Sequence, residues 1–173
     1  MTAPHTTTPK ERIRAACARW GEAEVVRDCV TVLRGGPYPS DEKWLLLAGP
    51  AAPTQLKSEV NAYWAHVWAA RVFLYVWREE AAPAVVIALG HPHWRVREMA
   101  AKVCALREVY AEELAPLLAD PVPRVRAAAA RAVGAVGEAE HAPALRTLTK
   151  DPLVRDTAVR ALGRLADRLD RPL

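Results

Sequence analysis

The chain has 173 residues, 51% of them hydrophobic and 25% charged, with a net charge of +4. Those proportions suit one domain of ordinary size with a continuous core, and the small cationic excess is compatible with a polyanionic partner without requiring one. The apolar stretch Trp64–Trp77 is too short to span a bilayer and is interrupted by His66 and Arg71, while Cys17, Cys29 and Cys104 are an odd number at no metal-ligand spacing.

Residues 1–9, rich in threonine and proline, read as a disordered segment, and residues 10–173 as a single domain. No secretory leader is read, because no long apolar run follows a basic start. The cysteines then read as small core residues of a reduced, cytoplasmic protein. Lys10–Trp20 and Glu22–Arg34 read as two helices, the second closed by Gly35-Gly36. Ser40-Asp41 is placed to cap a short helix through Leu47. Thr54 is placed to cap a long, interruptible helix reaching about Arg78. No stretch alternates apolar and polar residues as a half-buried strand does, so the expected class is all-α.

From residue 82 onward the chain repeats itself. Val96-Arg97, Val125-Arg126 and Val154-Arg155 recur 29 residues apart, each after a proline turn: His91-Pro92, Asp120-Pro121 and Asp151-Pro152. In the middle copy Leu114, Leu117 and Leu118 form the stripe of a short first helix. Asp120-Pro121 stops it, and Pro123 is placed to open the next, where its missing N–H costs nothing. Val125, Ala128, Ala129, Ala132, Val133 and Val136 then make a wide apolar face of small side chains. Gly134, Gly137 and Gly163 suit helix exits. A divergent copy spans 54–80, where Tyr63–Val72 aligns with Trp94–Val103 and His66 takes the arginine position.

The motif D-P-x-x-x-V-R-x-x-A-A-x-A-V-G at Asp120–Gly134, and its shorter echo D-P-L-V-R-D-T-A-V-R-A-L-G at Asp151–Gly163, resemble the HEAT repeat, in its short bacterial, phycobilisome-lyase HEAT-like form. The regular copies lie within 82–169, and the first departs with His91 in place of aspartate. The resemblance implies a right-handed α-solenoid of stacked antiparallel helix pairs, with atypical helices capping the N-terminal end. It also implies that the second helices line a concave face, and that the matching Asp and Arg are structural.

Two readings of the arginines follow. Arg97, Arg126 and Arg155 form a ladder that either pairs with turn aspartates and turn carbonyls, Arg126 with Asp120 for example, or tracks phosphates. Arg95, Arg124, Arg131, Arg160, Arg164 and Arg168 also lie on second helices, with Glu98, Asp156 and Asp167 interleaved. Arg124, Arg131 and Arg160 have no evident structural duty.

Tryptophan is over-used, six against one phenylalanine. Trp64 and Trp68 share a helical face and read either as core or as an aromatic surface for a ring or peptide. Among HEAT-like proteins that excise alkylated bases from DNA, a cleft holds tryptophans, an acid four residues after one of them, and an arginine from the next repeat. Trp94, Glu98 and Arg131 resemble that constellation, although a Glu98–Lys102 pair one turn apart explains Glu98 as well.

The leading expectation is a non-catalytic scaffold, without cofactor or metal, that binds a protein through a concave face of Trp94, Arg95, Glu98, Arg124, Arg131 and Arg160. The alternative is a nucleic-acid-binding relative, extending to an alkylated-base glycosylase. The helix phase itself is testable. Ala129→Leu on the close-packed face lowers stability by about 1–3 kcal/mol through overpacking, and an unchanged thermal melt would mean that the phase is wrong.

Overall fold

The computed structural model describes residues 8–109 and 112–172. Residues 1–7 of the segment expected to be disordered lie outside that description. Thr8 and Pro9 instead start a helix: the Glu11 N–H donates to Thr8 Oγ1 at 3.3 Å and the Thr8 N–H donates to Glu11 Oε2 at 2.7 Å. This reciprocal capping box satisfies two donors that a helix start otherwise leaves open. Every regular element among the described residues is helical, and the chain divides into two compact units, Met1–Ala84 and Val85–Leu173.

The first unit contains α1 (Pro9–Trp20), α2 (Glu22–Leu33), α3 (Asp41–Ala48), α4 (Ala52–Gln55) and α5 (Tyr63–Val72). The long helix expected after Thr54 is broken. Thr54 lies inside the short α4, and Ser58 turns extended at φ −107°, ψ 128°. A single turn over Glu59–Asn61 then leads into α5. Helices α1 and α2 pack together, and α5 packs on α2 and α3.

The tryptophans hold this unit. Trp44 and Trp68 are 6% and 4% exposed, and meet edge to face at 6.2 Å between ring centroids. Trp64 stacks on Trp68 at 5.9 Å. Of the two readings of Trp68, the core is therefore the one observed, as expected for a large ring that gains most by leaving water. Lys43 is buried between α2 and α3, where Glu24 and Asp28 both accept from its ammonium. Arg71 donates to the carbonyls of Leu47 and Ala48 at 3.2 and 2.9 Å, placing a cation at the electronegative end of α3.

Helix α6 (Ala82–Leu89) contains the division between the units. The second unit continues with α7 (Trp94–Arg107), α8 (Pro123–Val136), α9 (Ala142–Leu148) and α10 (Arg155–Leu169). Successive second helices pack side by side, α7 on α8 and α8 on α10, and α9 packs on α10. In the middle copy the first helix is not α-helical. Leu114, Leu117 and Leu118 are buried as expected, but on tight turns over Glu112–Leu114 and Pro116–Ala119. Val125, Ala128, Ala129, Ala132 and Val133 are all at most 1% exposed, so the helix phase is the expected one. Cys29 and Cys104 are buried free thiols, and burial pushes the Cys104 thiol up to about 12.

Two glycines depart from their expected role. Gly137 does end α8, but Gly134 lies within it and Gly163 lies within α10. A Cβ on Gly134 would stand 2.8 Å from both the Cα and the carbonyl oxygen of Ala161. Glycine is needed there for helix contact rather than for helix exit. At Gly163, the equivalent position one repeat later, an added Cβ meets nothing within 4 Å. The same substitution therefore has opposite signs at the two sites. Gly134→Ala gains about 1 kcal/mol of helix propensity but loses more to the backbone clash, and lowers the melting temperature. Gly163→Ala, with no clash, gains roughly 0.5–1 kcal/mol and raises it. Paired thermal melts check both signs.

Candidate functional site

The arginine ladder is built into the turns of the second unit. Arg97 on α7 donates from Nη1 to the carbonyls of His91 and Pro92, at 2.9 and 2.8 Å, in its own repeat. Its Nε and Nη2 reach forward to the Asp120 carboxylate at 2.7 and 3.2 Å. Arg126 on α8 repeats the pattern, to the carbonyls of Asp120 and Pro121 and then to Asp151 Oδ2, at 2.9 and 2.6 Å. Its ionic partner is therefore Asp151 of the next repeat, not Asp120, whose contribution is a main-chain oxygen. The reason is geometric: the Asp120 carboxylate is already taken by Arg97 from behind and by the Val122 N–H at 2.9 Å. Arg155, on α10, donates from Nε to the Thr149 carbonyl at 3.2 Å and has no carboxylate partner among the described residues. His91 replaces the missing aspartate within the turn, since its Nδ1 accepts from the His93 N–H at 2.9 Å.

Five residues further along each helix lies a second ladder. Lys102, Arg131 and Arg160 recur at the same interval as Arg97, Arg126 and Arg155. Five residues rotate about 140° around an α-helix, so these cations leave the turns and emerge on another face. There they line a groove of about 380 Å³ with Ala105, Leu106, Ala128, Thr157, Ala161 and Arg164. Arg131, Arg160 and Arg164 are exposed and make no ion pair among the described residues. No carboxylate lines the groove. The floor is aliphatic, and Leu106 stands 55% exposed in it.

Trp94, Arg95, Glu98 and Arg124 form a cluster beside this groove. The Arg95 and Arg124 guanidinium carbons lie over the Trp94 ring, at 4.5 and 5.4 Å from its centroid. Glu98 is 7% exposed, and its Oε1 lies 2.8 Å from Lys102 Nζ and 3.1 Å from Arg124 Nη2. Arg124 thus has a structural partner that the sequence did not disclose, and Lys102 links the cluster to the groove. Of the expected face, Arg131 and Arg160 line the groove, while Trp94, Arg95, Glu98 and Arg124 engage one another. Lys102, Ala105, Leu106 and Arg164 were not among the expected site residues. For Lys102 the signal was present, because its spacing to Arg131 equals that from Arg131 to Arg160.

Another cavity, of about 440 Å³, lies among Ala115, Leu118, Ala119, Ala144, Thr147 and Leu148, with Arg126 and Asp151 at its edge. Its charges neutralise each other, so it offers less to a charged ligand than the open ladder does.

The family model of HEAT repeats matches residues 111–173. The match covers the second and third copies and bears out the resemblance there. HEAT repeats commonly mediate protein interactions as scaffolds. No curated protein and no solved structure matches the chain.

The ladder should respond to mutation in order of burial. The Arg97 and Asp120 side chains are 14% and 4% exposed, and removing one member of a buried pair strands the other charge. Arg97→Ala therefore costs about 3 kcal/mol, Arg126→Ala less, and Arg155→Ala least, as read from denaturant melts. The Leu153 N–H and then the Arg126 guanidinium hold the Asp151 carboxyl below its ordinary 3.8. A depressed carboxyl stabilises the fold above its unfolded pKa and loses that effect as pH falls through the folded value. Asp151→Asn should accordingly flatten the loss of stability below about pH 4, as followed by melts against pH.

Proposed function

Starting from the HEAT repeats of residues 111–173, we propose that the second unit is a non-catalytic binding module. It recognises a protein partner on the face formed by α7, α8 and α10, and acts in the cytoplasm. The observation that carries this reading is the groove itself, where unpaired guanidiniums surround an aliphatic floor. A protein segment offers both complements at once: polar groups for the rim, and an apolar side chain that leaves water on the floor. Arg131 and Arg160 act as rim contacts. Trp94, held under Arg95 and Arg124, is a rigid anchor at the edge of the same face.

The nucleic-acid reading rests on the same cations but leaves the floor unused. Base excision is less well supported still. It needs an acid aimed at the substrate, whereas the Glu98 carboxylate is pinned between Lys102 and Arg124 and lies outside the groove lining. No helix among the described residues is long and apolar enough to cross a membrane.

Selection of peptides from a random display library against the intact chain tests this. Selected peptides should lose binding to Ala105→Trp, which fills the groove, and to Leu106→Glu, a safer exposed substitution. Peptides that ignore both variants would sink the groove as the binding face. Duplex DNA should bind no tighter than roughly 10 μM near 150 mM salt. Submicromolar affinity with a steep salt slope, lost in Arg124→Glu/Arg131→Glu, would favour the nucleic-acid reading instead.

A further inference from the structure

The open ladder also says what kind of segment fills the groove. Arg131, Arg160 and Arg164 line one cavity with no carboxylate in its lining, and none of them forms an ion pair among the described residues. Among the described residues no carboxylate lies within ion-pair distance of any of the three, and the nearest side-chain partner is the Thr157 hydroxyl, which accepts from Arg160 at 3.5 Å. The contrast with the other cations of α7 and α8 is informative. Arg97, Arg126, Lys102 and Arg124 each have a carboxylate. Arg131, Arg160 and Arg164 converge on the groove without one.

Resting on the protein-binding reading above, we infer that the groove takes an acidic peptide segment, with an aliphatic side chain seated between its carboxylates. The cavity of about 380 Å³ accommodates side chains rather than a folded element. Ala105, Leu106, Ala128 and Ala161 supply the aliphatic contact, and the guanidiniums supply planar forks that match carboxylate geometry. Lys102 contributes little charge to an incoming acid, because Glu98 already holds it at 2.8 Å. Recognition therefore falls to the arginines. The aliphatic floor favours this occupant over a sugar–phosphate backbone, which would answer the arginines and leave Leu106 in contact with polar atoms.

The test uses the full chain and three labelled peptides. One carries Glu and Leu at helical spacing, the second replaces every Glu with Gln, and the third replaces every Leu with Ser. A single-stranded oligonucleotide of similar charge is the fourth probe. The Glu–Leu peptide should bind, with the Gln and Ser versions each weaker by about tenfold, as expected for the loss of one or two charge-assisted bonds or a buried side chain. Arg131→Glu/Arg160→Glu should weaken the Glu–Leu peptide by at least the same factor. Because both positions are exposed, it should leave the thermal melt unchanged. A Gln–Leu peptide that binds as well as the Glu–Leu one, with both lost in Leu106→Glu, would overturn the acidic segment and leave the groove reading standing. An oligonucleotide that binds more tightly than any peptide would overturn it in favour of phosphate. Failure of the Glu–Leu peptide to bind, or binding indifferent to every groove variant, would overturn it outright.

Discussion

Arg97 and Arg126 each tie two turns together. Each guanidinium holds its own turn through main-chain carbonyls and the next turn through an aspartate carboxylate. The aspartate then caps its own turn by accepting the N–H two residues on, Val122 for Asp120 and Leu153 for Asp151. One arginine fork and one carboxylate thus satisfy main-chain groups at the joints between repeats, where proline turns would otherwise leave them open. The pattern is directional, since each arginine reaches forward to the following repeat. Arg155 bonds the Thr149 carbonyl of its own turn and has no carboxylate partner among the described residues. His91 stands where the later turns have aspartate, and His66 stands at the position that aligns with Arg97.

With the turns locked, helix contact sets how closely the second helices approach. Alanines at 128, 129 and 132 and the bare Cα of Gly134 bring α8 against its neighbours. This close stacking carries the rest of each helix into register. Residues separated by one repeat come to lie side by side, so any residue type repeated at that interval becomes a row. Two rows of cations result. The one at the turns is consumed by structure, and the one rotated away from them pairs at Lys102 with Glu98 but carries no ion pair at Arg131 and Arg160 among the described residues. The proposed binding surface is thus a by-product of the repeat, with the direction of each side chain separating the turn arginines from those that line the groove.

The first unit obtains its stability differently. The indoles of Trp44 and Trp68 meet edge to face in its core, with the half-buried Trp64 stacked on Trp68, and the buried Lys43 is satisfied by two acids from one helix. Large rings bury much area per residue, which suits helices too short and irregular to present a long alanine face.

Much of this was legible in the sequence. The repeat interval, the proline turns and the spacing of Val125, Ala128, Ala132 and Val133 determined an all-α chain and the buried face of α8, because helical periodicity is a local property. The same locality made the two ladders look alike: a string of residues shows that Arg126 and Arg131 both recur, but not which has a carboxylate within reach. Only the tertiary structure decided that Arg126 pairs with Asp151 rather than with Asp120, that Glu98 holds Lys102 and Arg124, and that Arg131, Arg160 and Arg164 remain unpaired around one groove. It also decided that Gly134 is a packing residue, while its repeat-mate Gly163 is not. Each of these depends on which atoms of a neighbouring repeat come within a few ångströms, a distance set by helix packing and not by position along the chain.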